Sequence, residues 1–220
     1  MKNKAKSPYV ITVANLKGGA GKSTAVVTIA CAFHRAGTRT LIVDADSHQA
    51  SLRTWAGAGA GNDIPPVTAL DGRNIARDLI RIGAAYELVV VDTPSRLPAE
   101  ARTAMVAADL VLIPSEPGGF DLWALKEMLA TVEEARVMRP DLLVYVLFNR
   151  VDQTNLSEMV RKELVELDVP LLKSQLGSRV AFRETSSAGC DVVALDPGSE
   201  AASEARALYR ELTKIVKEKR

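Results

Sequence analysis

The segment Val10–Thr24, VITVANLKGGAGKST, sets a lysine and two hydroxyls directly behind a run of glycines. Residue types in that order suit the holding of phosphate oxygens. Glycines let the backbone curl until several N–H groups converge on an anion. A helix starting near Ser23 adds the positive end of its dipole. Lys22 supplies a point charge for the β- and γ-phosphates of a nucleotide, and Ser23 a hydroxyl for magnesium. Gly18, Gly19, Ala20, Gly21, Lys22, Ser23 and Thr24 thus form a candidate phosphate loop. The pattern G-x-x-x-x-G-K-[ST], read strictly, opens at Leu16 or Lys17, so the fit is a variant, K-G-G-x-G-K-[ST]. A merely flexible turn does not require strand, loop, Lys-Ser pair and helix together. Lys17, a second lysine at the loop's mouth, is not needed to cradle phosphates within one chain.

Two acidic strand ends accompany the loop. Val89–Pro94, VVVDTP, is an apolar run that closes on Asp92. A carboxylate at that place stands beside the metal of a nucleotide site, although it also suits the capping of a turn before Pro94. Val43–Ser51, VDADSHQAS, carries Asp44 and Asp46, where Asp46 or Ser47 also suits the capping of a following helix.

These residues need a scaffold, and the chain offers one. Five short apolar runs stand out: Tyr9–Ala14, Thr40–Val43, Leu88–Val91, Leu110–Ile113 and Leu142–Phe148. They are nearly continuous rather than alternating, the habit of parallel strands buried on both faces. Helical segments separate or follow them, at Ser23–Arg35, Arg73–Ile82, Pro98–Ala107, Leu122–Arg136, Ser157–Leu167 and Glu200–Lys217. The expected fold is α/β, a doubly wound, mostly parallel sheet flanked by helices, as in P-loop NTPases. The last helix groups Ala205, Leu208, Leu212, Ile215 and Val216 near one face, so it should pack on the core. Ala56–Pro66, AGAGAGNDIPP, reads as a mobile surface connection. A chain of 220 residues suits one domain, 1–220.

Composition narrows the class. Hydrophobic residues make up 47% and charged residues 25%, ordinary for a soluble globular protein. Net charge is +1, so binding to nucleic acid or anionic lipid must rest on a local patch. Cys31 and Cys190 have no metal-like spacing and fit small buried residues of a reducing cytosol. No run approaches the roughly 18 apolar residues of a membrane span, and the expected location is cytoplasmic.

The box KGGAGKST resembles the deviant Walker A box of the ParA/MinD ATPases. The resemblance extends from Tyr9 to about Lys217 and is closest to short ParA proteins of the ParF type. It implies an ATP hydrolase using ATP and Mg2+, in which Lys17 reaches the partner subunit's nucleotide and ATP joins a homodimer. It also implies that Asp46 positions the attacking water and that Asp44 helps hold the Mg2+ shell, since VDADSHQ looks like the family's D-x-D-P-Q segment. Ser47 and His48 depart from that segment's proline and glutamine. Ile113–Leu125, IPSEPGGFDLWAL, looks like a stretch near nucleotide and dimer interface, although Asp121 also suits a helix cap. Phe148–Asp152, FNRVD, falls where the family contacts adenine, which makes Asn149 a base ligand by resemblance. SRVAFRE (Ser178–Glu184) and LDPGSEA (Leu195–Ala201) look like the family's carboxy-terminal part, with Gly198 where many relatives carry a basic residue. With eight residues ahead of the first strand, no amino-terminal helix-turn-helix domain is expected.

Related ParA proteins bind DNA without sequence preference as ATP dimers, which needs clustered cations to displace counterions. Arg161, Lys162, Lys173, Arg179 and Arg183, with Lys214, Lys217, Lys219 and Arg220, are the candidates. Scattered solvated charge is the plainer account of each. The implied function is partition or positioning of DNA over the nucleoid, with a centromere-binding or cargo-adaptor protein that accelerates slow intrinsic hydrolysis. A protein cluster or microcompartment is the alternative cargo. A MinD-like membrane role is disfavoured because the last helix reads as a core element, and no membrane partner is expected. A metabolic P-loop enzyme would need substrate groups that the sequence does not reveal.

Overall fold

The computed structural model describes residues 7–46, 49–71, 74–152, 162 and 164–219, with only the backbone described at 80, 83 and 119–122. Six strands form one parallel sheet in the order β3-β2-β4-β1-β5-β6. They are β1 (Tyr9–Val13), β2 (Thr40–Asp44), β3 (Val67–Ala69), β4 (Leu88–Asp92), β5 (Leu110–Ser115) and β6 (Leu143–Phe148). The five strands expected from their apolar runs are all present. The unexpected one, β3, is three residues long and half-exposed at the sheet edge, so VTA carries no burial signal.

Helices cover both faces. They are α1 (Lys22–Arg35), α2 (Ser51–Ala58), α3 (Ile75–Ile82), α4 (Pro98–Val106), α5 (Gly119–Arg136), α6 (Val180–Ala188), α7 (Val192–Leu195) and α8 (Glu200–Lys219). Of the expected helix Ser157–Leu167, residues 162 and 164–166 are helical and the remainder is largely outside the described residues. Strand side chains alternate between two cores. Ile11, Val13, Ile42 and Val90 pack with α1, α2 and α8, whereas Val10, Val43, Val89 and Val91 pack with α3, α4 and α5. Both cores hold fully buried aliphatic side chains, each contributing about 1.5–3 kcal/mol over an exposed position.

The helix α8 seals the first core. Ala201, Ala205, Leu208, Leu212 and Val216 are buried at helical spacing. Ile215, expected with them, is only partly buried. Tyr209 meets Phe33 of α1 edge-on, with ring centroids 4.9 Å apart.

The Ala56–Pro66 segment departs from the expected mobile connection. Its first residues belong to α2, and Pro65 is buried. Gly59 lies against the backbone of Gly189, where a Cβ on Gly59 would come within 2.1 Å of the Gly189 carbonyl oxygen. Asn62 Nδ2 donates to that same carbonyl at 3.0 Å. The glycines here permit a close backbone crossing rather than a loose tether.

Parallel register brings the chemistry to one edge. Val13 pairs with Asp92, and Asp92 with Asp44, so the carboxyl ends of β1, β4 and β2 lie side by side. From β1 the chain crosses to one side of the sheet, and from β4 and β5 it moves to the other. That divergence opens a crevice at the carboxyl ends of the strands, the usual ligand position in such sheets.

Candidate functional site

The glycine loop fills that crevice. Gly19 and Gly21 take left-handed backbone angles, φ 80° and 83°, which glycine adopts without a Cβ penalty. Helix α1 begins immediately after Gly21, and Ala25 N donates to the Gly21 carbonyl at 3.0 Å. The loop is braced from both sides. Asn15 Nδ2 donates to Pro114 O at 2.7 Å while Asn15 Oδ1 accepts from Lys17 N at 2.8 Å. Asn149 Nδ2 donates to Ala20 O at 2.8 Å.

Lys22 is 93% withdrawn from solvent by this frame, with 7% of its surface exposed. Its Nζ donates to Ser95 Oγ at 2.5 Å. Burial lowers its pKa, and the nearby charges of Asp92 and Asp46 oppose that shift. Ser23 Oγ donates to Asp92 Oδ2 at 2.6 Å. The other oxygen, Asp92 Oδ1, is buried with no hydrogen-bond partner among the described residues. Burial raises the Asp92 carboxyl to about 7, against the pull of the Ser23 hydrogen bond and the Lys22 charge.

Asp46 Oδ1 accepts from Gln49 N at 3.0 Å, so it shapes the turn toward α2 while lying beside the loop. Gly19, Gly21, Lys22, Ser23, Thr24, Asp46, Gln49, Asp92, Thr93, Ser95 and Arg150 together line a cavity of about 160 Å³. Its lining includes the buried Lys22, residues of the glycine loop and Asp92. That set suits a polyphosphate with a hard cation beside it.

A second cavity of about 600 Å³ adjoins the first through Thr24 and Arg150. Asn149, Ser178, Phe182 and Arg183 are among its lining residues. Its size and aromatic wall suit the nucleoside end of the same ligand.

Residues 11–193 match the family model described as the CobQ/CobB/MinD/ParA nucleotide binding domain. The chain belongs to that family. It is a ParA/MinD-type P-loop ATPase. It is 30% identical over 209 residues to the maintenance of carboxysome distribution protein A of Halothiobacillus neapolitanus, covering 93% of this chain and 96% of that one. Identity to the protein of the same name from Gloeobacter kilaueensis is 36% over 209 residues, covering 92% and 91%. In fold it resembles the septum site-determining protein MinD of Pyrococcus horikoshii OT3, solved with Mg-ADP. The TM-score is 0.78 at 20% identity, over 97% of this chain and 99% of that one.

The residues present fit the ion. Mg2+ takes oxygen ligands and keeps much of its water, so one or two protein groups suffice. The Ser23 hydroxyl and the orphaned Asp92 Oδ1 supply such groups, whereas no cluster of three metal-binding side chains exists among the described residues. Asp44 does not line the phosphate cavity. Its Oδ1 accepts from Asp46 N at 3.1 Å and its Oδ2 from Arg53 N at 3.4 Å, so its carboxylate shapes the loop that carries Asp46. Burial raises the Asp44 pKa against those hydrogen bonds.

The sequence-predicted residues divide accordingly. Gly19, Gly21, Lys22, Ser23, Thr24, Asp46 and Asp92 come together around one cavity. Gly18 and the half-buried Lys17 lie outside its lining, and Ala20 is fully buried beneath it. Ser47 and His48 lie outside the described residues, as do Arg161 and Arg220. Asn149 borders the second cavity, with its amide nitrogen already committed to the loop.

The cations expected on DNA differ in their surroundings. Lys162 and Lys173 are exposed, as are Lys214 and Lys217. Arg183 and Arg179 line the second cavity instead. Arg179 is held by Glu204 at 2.8 Å and also by Glu200, which leaves its charge opposed by two carboxylates. Lys219 pairs with Asp141 at 3.2 Å.

Ser95 and Arg150 were not legible as site residues. Ser95 follows VVVDTP by one position and carries no motif signal. Arg150 was visible only as the residue after Asn149. Among the described residues no helix is long and apolar enough to cross a membrane.

Proposed function

We propose that this ATPase is a dimerising positioning switch, whose MgATP dimer binds DNA without sequence preference and whose hydrolysis releases it. The observation that carries the reading is a phosphate loop with two lysines, of which only one enters the cavity. Lys22 is buried inside the cavity, and Lys17 stands at the loop outside its lining. A lysine so placed suits contact with a nucleotide held by a second copy of the chain.

Each residue then has a role. Lys22 neutralises charge on the outer phosphates, and Lys17 of one subunit does so at the other. Ser23 and Asp92 hold the magnesium ion, which when bound screens the phosphate oxygens. Asp46, which lines the same cavity as Lys22, orients the water that attacks the γ-phosphate. Asn149 keeps the loop in shape through Ala20. No arginine of this chain is assigned to the attack, so intrinsic hydrolysis is expected to be slow. For scale, unassisted P-loop GTPases turn over at roughly 10⁻⁴ to 10⁻² s⁻¹. A cargo adaptor or centromere-binding protein would accelerate it.

Two relatives named for carboxysome distribution, at 30% and 36% identity over nearly the whole chain, support a protein body as cargo. Plasmid or chromosome cargo is the second reading, supported by the ParA members of the family. Both readings use the nucleoid as the surface on which the ATP dimer resides.

Among the described candidates, the exposed Lys162, Lys173, Arg183, Lys214 and Lys217 could meet DNA phosphates. The test is binding to random duplex DNA with ATP, with ADP and without nucleotide, across a salt series. Tight binding with ATP alone, falling steeply as salt rises, supports the reading. No DNA binding in any state, alongside confirmed ATP binding, would sink it.

A further inference from the structure

We propose that Arg150 contacts the phosphates of the bound nucleotide, exchanging Glu116 for them as the nucleotide enters. The proposal rests on the nucleotide reading of the cavity and adds a cationic contact that the phosphate-loop motif does not contain.

The first observation is position. Arg150 lines both the phosphate cavity and the adjoining larger one, and among the described residues only Thr24 shares this position. A ligand spanning both cavities would run past these two residues.

The second is backbone. Arg150 holds a left-handed φ of 53°, a conformation that L side chains adopt at a cost and that glycine adopts freely. Both neighbours are pinned. Asn149 N donates to Ser115 O at 2.9 Å and Val151 N to Leu176 O at 3.0 Å. Asn149 Nδ2 is bonded to the phosphate loop itself. The arginine therefore stands on a platform tied to the loop, in a conformation maintained despite its cost, which is a mark of functional positions.

The third is its partner. Arg150 Nη1 donates to Glu116 Oε1 at 2.9 Å, with side-chain exposures of 53% and 31%. A half-exposed pair of this kind is weak and readily exchanged. A guanidinium offers a planar fork that matches phosphate oxygens, and a doubly charged or more highly charged phosphate competes well with one carboxylate. Arg179 and Arg183 share the larger cavity, but only Arg150 of the three also reaches the phosphate cavity.

Arg150→Gly separates this role from a structural one, because glycine suits the left-handed backbone and removes only the side chain. Calorimetric titration of the full chain with MgATP and with magnesium tripolyphosphate, which has no base, provides the readout. Wild type should bind both. Arg150→Gly should bind both roughly tenfold more weakly, the value of one charge-assisted contact, with a thermal midpoint no lower than wild type. Glu116→Gln, which removes the competitor, should bind both more tightly. Arg150→Lys, keeping charge but not the fork, should fall between wild type and Arg150→Gly.

Unchanged affinity in Arg150→Gly would overturn the proposal while leaving the nucleotide reading intact. A loss for ATP with none for tripolyphosphate would also overturn it, because the arginine would then be covering the base. A wild-type chain that binds neither ligand would overturn the nucleotide reading itself and the proposal with it.

Discussion

The brace between Asn149 and the phosphate loop permits a quantitative test. A Cβ placed on Gly21 would lie 2.0 Å from Asn149 Nδ2 and 3.2 Å from its Cγ. The amide would have to leave, and its hydrogen bond to Ala20 O would be lost. Gly21→Ala should therefore incur the left-handed backbone cost of about 1–2 kcal/mol and the loss of a buried hydrogen bond of about 1–3 kcal/mol, some 2–5 kcal/mol together. Asn149→Ala should lose the hydrogen bond alone, about 1–3 kcal/mol. In the double variant the hydrogen bond is lost only once. Its cost should fall short of the sum of the single variants by about 1–3 kcal/mol. Urea denaturation followed by circular dichroism on all four proteins measures this coupling. Additivity within about 0.5 kcal/mol would refute the bracing contact, because the two residues would then act independently.

Other predictions concern the site chemistry. Lys22→Ala should weaken MgATP binding by at least roughly 10- to 100-fold, as expected for loss of a buried charge-assisted contact, and calorimetry reads it directly. Asp46→Ala should bind ATP yet accumulate as an ATP dimer; normal phosphate release from that variant would count against its water-positioning role. The Asp92 carboxyl is raised to about 7 by burial, and only its ionised form ligates a cation. Magnesium-dependent nucleotide binding should thus weaken as pH falls through about 7, by roughly tenfold between pH 8 and pH 6. Asp92→Asn, titrated over the same range, should lose that dependence along with most of the magnesium requirement.

How much of this was legible in the sequence depended on which force fixed each element. The buried strands announced themselves, since β1 (YVITV) and β4 (LVVVD) are each apolar at four of five positions, on both faces of the pleat. The loop was equally plain, because glycine, lysine and serine at fixed spacing have few uses besides phosphate. Strand β3 was not legible, being too short and too exposed to carry a pattern. The end of helix α2 was hidden by AGAGAG, which reads as a flexible stretch until the crossing of Gly59 over Gly189 is known. Asp44 and Asp46 look alike in the sequence, and both accept from backbone N–H groups of their loop, so only their position relative to the cavity separates them. Asp44 accepts from the backbone of its own loop and stays outside the phosphate cavity, whereas Asp46 lines it. Arg150 escaped notice because its importance lies in a left-handed backbone that its residue type does not suggest. Arg179 looked like a free cation because Glu200 and Glu204, its partners, lie more than twenty positions away.

The central claim is that ATP joins two subunits through Lys17. Sedimentation velocity of wild type and Lys17→Ala with MgATP, with MgADP and without nucleotide tests it most directly. Wild type should form a dimer with MgATP alone, and Lys17→Ala should bind ATP but stay monomeric in every condition. A Lys17→Ala chain that still forms the ATP dimer, or a wild-type chain that binds MgATP and remains monomeric, would contradict it.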